Sequence, residues 1–145
     1  MQRGRISFQC VDVEQAFPNY RKIRNWIVQC IERERKICGE IEYVFCSDQY
    51  LLKINQDFLD HDTYTDIVTF DSSTQELIQG SLYISLDRIK ENAQIHQTQE
   101  YEELLRVTIH GVLHLIGFKD KSDEEAENMR AMENKCIALY KELFG

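Results

Sequence analysis

His110 and His114 stand four residues apart in a stretch dense in Leu, Val and Ile, and Gly117 and Asp120 follow, giving the spacing H-x3-H-x2-G-x2-D. On a helix, that interval puts both imidazoles on one face a turn apart, close enough to share one cation. Gly117 lets the chain turn back as the helix ends, so Asp120 can reach the same ion from outside the helix. Two imidazoles and one carboxylate suit a catalytic zinc ion with its fourth position open to water, though iron, nickel and manganese accept the same set. The plainer alternative makes the histidines packed core residues and Asp120 part of the solvated turn Lys119-Asp-Lys-Ser-Asp123.

The neighbours of these ligands narrow the reaction. In zinc peptidases of the H-E-x-x-H type, the residue after the first histidine is the glutamate that works on the water; here it is Gly111, which argues against peptide hydrolysis. Phosphodiester cleavage asks less of the protein, because a metal can polarise a phosphoryl oxygen while nearby cations and hydroxyls stabilise the developing charge. Thr65, Arg106, Lys119 and Lys121 are available for that task. Asp66 could orient a histidine or take a proton, although an aspartate opening a strand is as often a turn residue.

Around these residues the chain divides into strands and helices in an order that is neither a strict alternation nor helix-only. Residues 6–11 read as a strand, and after Pro18 the spacing of Ile23, Trp26, Ile27, Cys30 and Ile31 predicts a helix capped by Asn19 and closed by Gly39. Residues 41–46 alternate like a strand, and Ser47 then caps a short helix carrying Leu51, Leu52, Asn55 and Phe58. The runs 66–70 and 81–85 predict neighbouring strands, followed by a helix over about 87–95. Residues 99–116 are apolar around most of their circumference, which places that helix at the centre. Ser122 with Glu125 forms a capping box for a last helix. The expected fold class is α+β: a small mixed four-stranded sheet packed with about five helices, with the metal site at the end of the central one.

At 145 residues the chain has the size of one domain, expected over 1–145, and 43% hydrophobic residues suffice for a core. The five cysteines are odd in number and widely spaced, so they are read as small core residues and not as a disulfide framework. No apolar run approaches the ~20 residues that span a bilayer, and the first residues lack a signal-peptide pattern, so a cytoplasmic location is expected. A net charge of −8 means that any nucleic-acid contact must use a local basic patch.

The segment His110-Gly-Val-Leu-His114-Leu-Ile-Gly117-Phe-Lys-Asp120 resembles the signature of the YbeY endoribonucleases, also called rRNA maturation factors. Asn55, the run 65–70, the run 80–85 and the acidic opening of the last helix resemble that family's other blocks in order, so the likeness covers most of the chain. It implies an α+β fold and a zinc-dependent endoribonuclease specific for single-stranded RNA. It also implies a role with the small ribosomal subunit, in maturation of the 3′ end of 16S rRNA and in ribosome quality control. The family's usual third histidine is Asp120 here, and zinc accepts either donor. Where the family commonly has an arginine after the aromatic of its Asn-x-x-aromatic block, this chain has Leu59 after Phe58; His61 or Arg106 could supply the positive charge instead. Other expectations for the same residues are a noncatalytic ribosome-associated factor with a structural metal, or a metal hydrolase of some other substrate.

Overall fold

The computed structural model describes residues 4–59 and 65–145, in the order β1 (Ile6–Cys10), α1 (Tyr20–Arg33), β2 (Ile37–Cys46), α2 (Asp48–Leu59), β3 (Ile67–Asp71), β4 (Leu77–Ser85), α3 (Leu86–Ile95), α4 (Glu100–Ile116) and α5 (Asp123–Phe144). These four strands and five helices make the α+β architecture expected. The sheet runs β1-β2-β4-β3, with β2 parallel to both β1 and β4 and only β3 antiparallel, so it is mixed. Helix α1 carries the crossover that a parallel β1–β2 pair needs, whereas β3 and β4 are joined by a short turn in which Asp71 accepts the backbone N–H of Ser73.

The caps lie where the sequence places them. Asn19 accepts from the Lys22 N–H, Ser47 from Tyr50, and Ser122 exchanges hydrogen bonds with Glu125 in a complete capping box. Gly39 does not close α1. The helix ends at Arg33, and the chain turns through Arg35 at φ 59° while the Lys36 N–H bonds back to the Ile31 carbonyl. Gly39 instead lies inside β2, beside a register shift between Cys38 and Ile41, where a β-carbon would stand 2.9 Å from Oε1 of Gln79. That irregularity also breaks the alternation of buried and exposed residues. It is why strict alternation starts the strand at Ile41, although pairing with β4 begins at Ile37 and Leu77.

The two faces of the sheet carry separate apolar clusters. On one, Ile41, Tyr43, Phe45, Leu82 and Ile84 pack against α1, α4 and α5; on the other, Cys46 and Val68 pack against Leu51 of α2. Ile23, Trp26, Ile27, Cys30 and Ile31 form the buried stripe of α1, and the Trp26 indole donates to the Cys136 carbonyl at 2.7 Å, fastening α1 to α5. Helix α4 is enclosed over most of its length. Full burial of each large apolar side chain contributes about 1.5–3 kcal/mol, so the segment from Leu104 to Leu115 forms a rigid base for side chains at its end. All five cysteines are free thiols, four of them buried. No helix of the described residues is long and apolar enough to cross a membrane.

Candidate metal centre

The last two turns of α4 carry His110 and His114, both half-buried on one face. Gly117 ends the helix at φ 124°, a conformation costly for any residue with a β-carbon, and its N–H meets the carbonyls of Leu113 and His114. The Phe118 N–H also returns to Leu113, so the chain folds back over the helix end. Asp120 thereby arrives with Oδ2 3.4 Å from Nε2 of each histidine, and the two Nε2 atoms are 3.0 Å apart. His110, His114 and Asp120 form the single group of three or more candidate metal ligands among the described residues.

What lies behind the rings decides what this triangle can hold. His110 Nδ1 is 2.6 Å from Oε2 of Glu133 on α5, and His114 Nδ1 is 3.0 Å from the Phe118 carbonyl. A carboxylate and a carbonyl only accept, so both Nδ1 atoms donate, and in its neutral form each ring turns an Nε2 lone pair toward the other. Two lone pairs at 3.0 Å repel unless a cation lies between them. Donor-to-metal lengths of ~2.0–2.2 Å at tetrahedral angles correspond to donor separations of roughly 3.3–3.5 Å, close to the 3.0, 3.4 and 3.4 Å observed. The donor set therefore fits a divalent cation such as zinc, with His110, His114 and Asp120 as its ligands.

The charges around the triangle act in the same direction. Burial opposes a charged His110, but the hydrogen bond and charge of Glu133, with Asp120 and Asp66 nearby, raise its pKa above the ordinary imidazole value. Burial likewise opposes a charged Glu133, yet its bonds to His110 and Arg106 hold its carboxyl below the usual carboxylate range. Arg106 Nη1 lies 3.0 Å from Glu133 Oε1, completing a chain from Arg106 through Glu133 to His110. Such a partner behind a ligating histidine fixes its tautomer and orientation and raises its basicity as a ligand.

Glu133 is absent from the sequence reading, although a signal for it was there: it is a carboxylate in the apolar stripe of α5 formed by Met129, Cys136 and Ile137. A buried acid in such a stripe needs a partner. The other expected site residues lie at different distances from the chemistry. Asp66 is half-buried at the start of β3, where burial raises its carboxyl pKa and the charge of His110 draws it partly back. The Thr65 hydroxyl donates to the Ile67 carbonyl at 3.3 Å, and Lys119 and Lys121 flank Asp120 fully exposed. Phe58 and Leu59 are exposed at the end of α2, with Phe58 edge-on to Phe70. His61 lies outside the described residues.

Gly111, whose identity weighed against a peptidase, faces the sheet. A β-carbon there would stand 2.8 Å from Cδ1 of Ile67 and 3.0 Å from Cδ2 of Leu82. The position thus has no space for a glutamate side chain, and α4 lies close on β3 and β4 because of it.

The sequence model of the family described as endoribonuclease YbeY matches residues 6–141. The chain belongs to the YbeY family. A YbeY endoribonuclease of Christiangramia forsetii is 46% identical over 140 residues, 97% of each chain. One from Porphyromonas gingivalis is 45% identical over 142 residues, covering 98% of this chain and 94% of its own. The solution structure of a Thermotoga maritima protein superposes with a TM-score of 0.66 at 23% identity, covering 97% of this chain and 94% of that one, which supports the fold. The YbeY match spans every element that carries the metal triangle, from β3 through α4 to α5.

Proposed function

We propose that this chain is a zinc-dependent endoribonuclease specific for single-stranded RNA, acting in the cytoplasm with the small ribosomal subunit to mature the 3′ end of 16S rRNA and to support ribosome quality control. The observation that carries the catalytic part is the donor triangle of His110, His114 and Asp120, with both imidazoles locked from behind so that their lone pairs converge. The description shared by its relatives, endoribonuclease, supports RNA as the substrate.

When bound, the ion supplies Lewis-acid polarisation of a phosphoryl oxygen and acidifies water. The chain does the rest. His110, His114 and Asp120 would hold the ion, while Glu133 and the Phe118 carbonyl accept from both Nδ1 atoms and so keep each Nε2 free to ligate. Asp66, half-buried beside His110 with its carboxyl pKa raised, is placed to hold or release a proton near the reacting phosphate. Lys119 and Lys121, exposed on either side of Asp120 in the sequence, are cations available to an approaching RNA phosphate. Arg106 neutralises Glu133, and its first effect on the reaction runs through His110.

Zinc-loaded protein is expected to cut single-stranded RNA, and His114→Ala to lose that activity with an unchanged circular dichroism spectrum. Cells depleted of the protein are expected to accumulate 16S rRNA with unprocessed 3′ ends, rescued by the wild type and not by His114→Ala. Equal cleavage by wild type and variant in vitro would overturn the catalytic reading; correct 3′ ends in depleted cells would overturn the ribosomal one.

A further inference from the structure

Charge is unevenly distributed along this acidic chain. Residues 1–36 hold eight of the seventeen Lys and Arg but only four of the twenty-five Asp and Glu, so the N-terminal quarter is basic in a protein of net charge −8. The fold gathers part of that charge into one groove of about 900 Å³ between α1 and the first residues of β1 and β2. Arg21, Arg24 and Lys36 line it beside the polar Asn25 and Gln29, and Glu32 is the single carboxylate on its wall. Arg5 is exposed next to its Gly4 rim.

Two of these cations, Arg24 and Lys36, are held in place without being neutralised. Arg24 Nε donates to the Ile6 carbonyl at 2.9 Å, and its guanidinium lies 5.6 Å from the centre of the Phe8 ring. Lys36 Nζ donates to the Gln75 carbonyl at 2.6 Å. Among the described residues none of Arg5, Arg21, Arg24 and Lys36 forms an ion pair, whereas Arg88, Arg106 and Lys141 elsewhere all do. Carbonyl contacts orient a cation and leave its charge available, which is the state a polyanion would meet.

We propose that this groove is an accessory contact for the sugar–phosphate backbone of single-stranded RNA, holding a stretch of the substrate away from the scissile bond. It rests on the reading of RNA as the substrate. Charge complementarity selects the occupant: unneutralised cations suit phosphates, and the net negative charge of the rest of the chain disfavours nonspecific RNA contact elsewhere. The groove lies at the β1 edge of the sheet, and the metal triangle packs near β3 and β4 on the other side. Three strand spacings, roughly 14 Å, separate β1 from β3 across the sheet, a width that an RNA strand several nucleotides long exceeds.

The test is fluorescence anisotropy of a labelled twenty-nucleotide single-stranded RNA with the full chain in EDTA, which stops cleavage. The double variant Arg21→Gln/Lys36→Gln is expected to weaken binding about tenfold at moderate salt, and to reduce the slope of log K against log salt by roughly 1.4, two contacts at ~0.7 each. Lys90→Gln/Arg130→Gln makes the same net change in charge on exposed positions of α3 and α5, and is expected to shift affinity less than twofold. Arg21→Gln alone, with one exposed side chain altered, gives an intermediate loss and serves if the double variant does not fold. An unchanged affinity and salt slope in the groove variants, or an equal loss in the control pair, overturns the proposal while leaving the endonuclease reading intact. A wild-type chain that does not bind RNA in EDTA also overturns the groove proposal, and the endonuclease reading falls with it only if the zinc-loaded chain leaves the same RNA uncut.

Discussion

Two arginine–carboxylate clusters lie among the described residues, and they differ in what the carboxylate does besides pairing. Asp48 at the start of α2 takes Nε and Nη2 of Arg88 and the hydroxyl of Ser85, joining α2, β4 and α3. Every partner there holds the fold together. Glu133 gives one oxygen to Arg106 and the other to His110, and the far nitrogen of that ring points into the metal triangle. The same pairing of charges is structural in one place and positioning in the other, because only the second ends on a group with a free lone pair. Glu103 makes a third case, a buried carboxylate whose one ion-pair contact among the described residues is His96, at 4.0 Å.

That contrast can be broken in order of effect. His114→Ala removes a ligand, and is expected to abolish both metal uptake, read by atomic emission on dialysed protein, and RNA cleavage, with little change in melting temperature. Glu133→Ala is expected to weaken metal affinity by roughly 10–100-fold. It also strands Arg106, at a cost on the order of 3–5 kcal/mol in chemical denaturation. Glu133→Gln keeps the shape and should lose affinity with a smaller loss of stability; equal metal affinity in both variants and the wild type would make Glu133 a structural residue only.

Asp48→Asn provides the counterpart. It is expected to lower the melting temperature while leaving metal affinity and kcat unchanged, and a fall in kcat would erase the distinction between the clusters. The smallest effect is expected at Glu103, whose carboxyl pKa is raised chiefly by burial, with the His96 charge pulling it partly down. A folded-state value above the unfolded one means that the folded chain binds the extra proton, so stability falls as pH rises from about 4.5 through the folded value and then levels. Glu103→Gln should therefore melt higher than the wild type at pH 7, with the gain shrinking toward pH 4. A gain that is constant across that range would contradict it.

How much was legible depended on sequence distance. The interval between His110 and His114, the Gly117 stop and the caps at Asn19, Ser47 and Ser122 are local, and each was readable from residues within one or two turns. The strand starts of β2 and β4 were not, because a register shift beside Gly39 interrupts the alternation from which a strand is recognised. Arg106 was visible as a cation on the face of His110, but its engagement with a residue 27 positions later was not.

By itself the sequence determined which side chains converge, since helical periodicity puts two imidazoles on one face and a single glycine lets an aspartate return to them. It also determined the class of fold, through the order and period of its apolar residues. Only the tertiary structure decided which nitrogens of the two histidines face one another, because Glu133 reaches His110 from a helix packed alongside and not from a neighbouring turn. It alone turned Gly111 toward the sheet and gathered Arg21, Arg24 and Lys36 around one groove. Such contacts arise when amphipathic faces bury against one another, and the pairing of faces is a property of the whole core that no short stretch of residues contains.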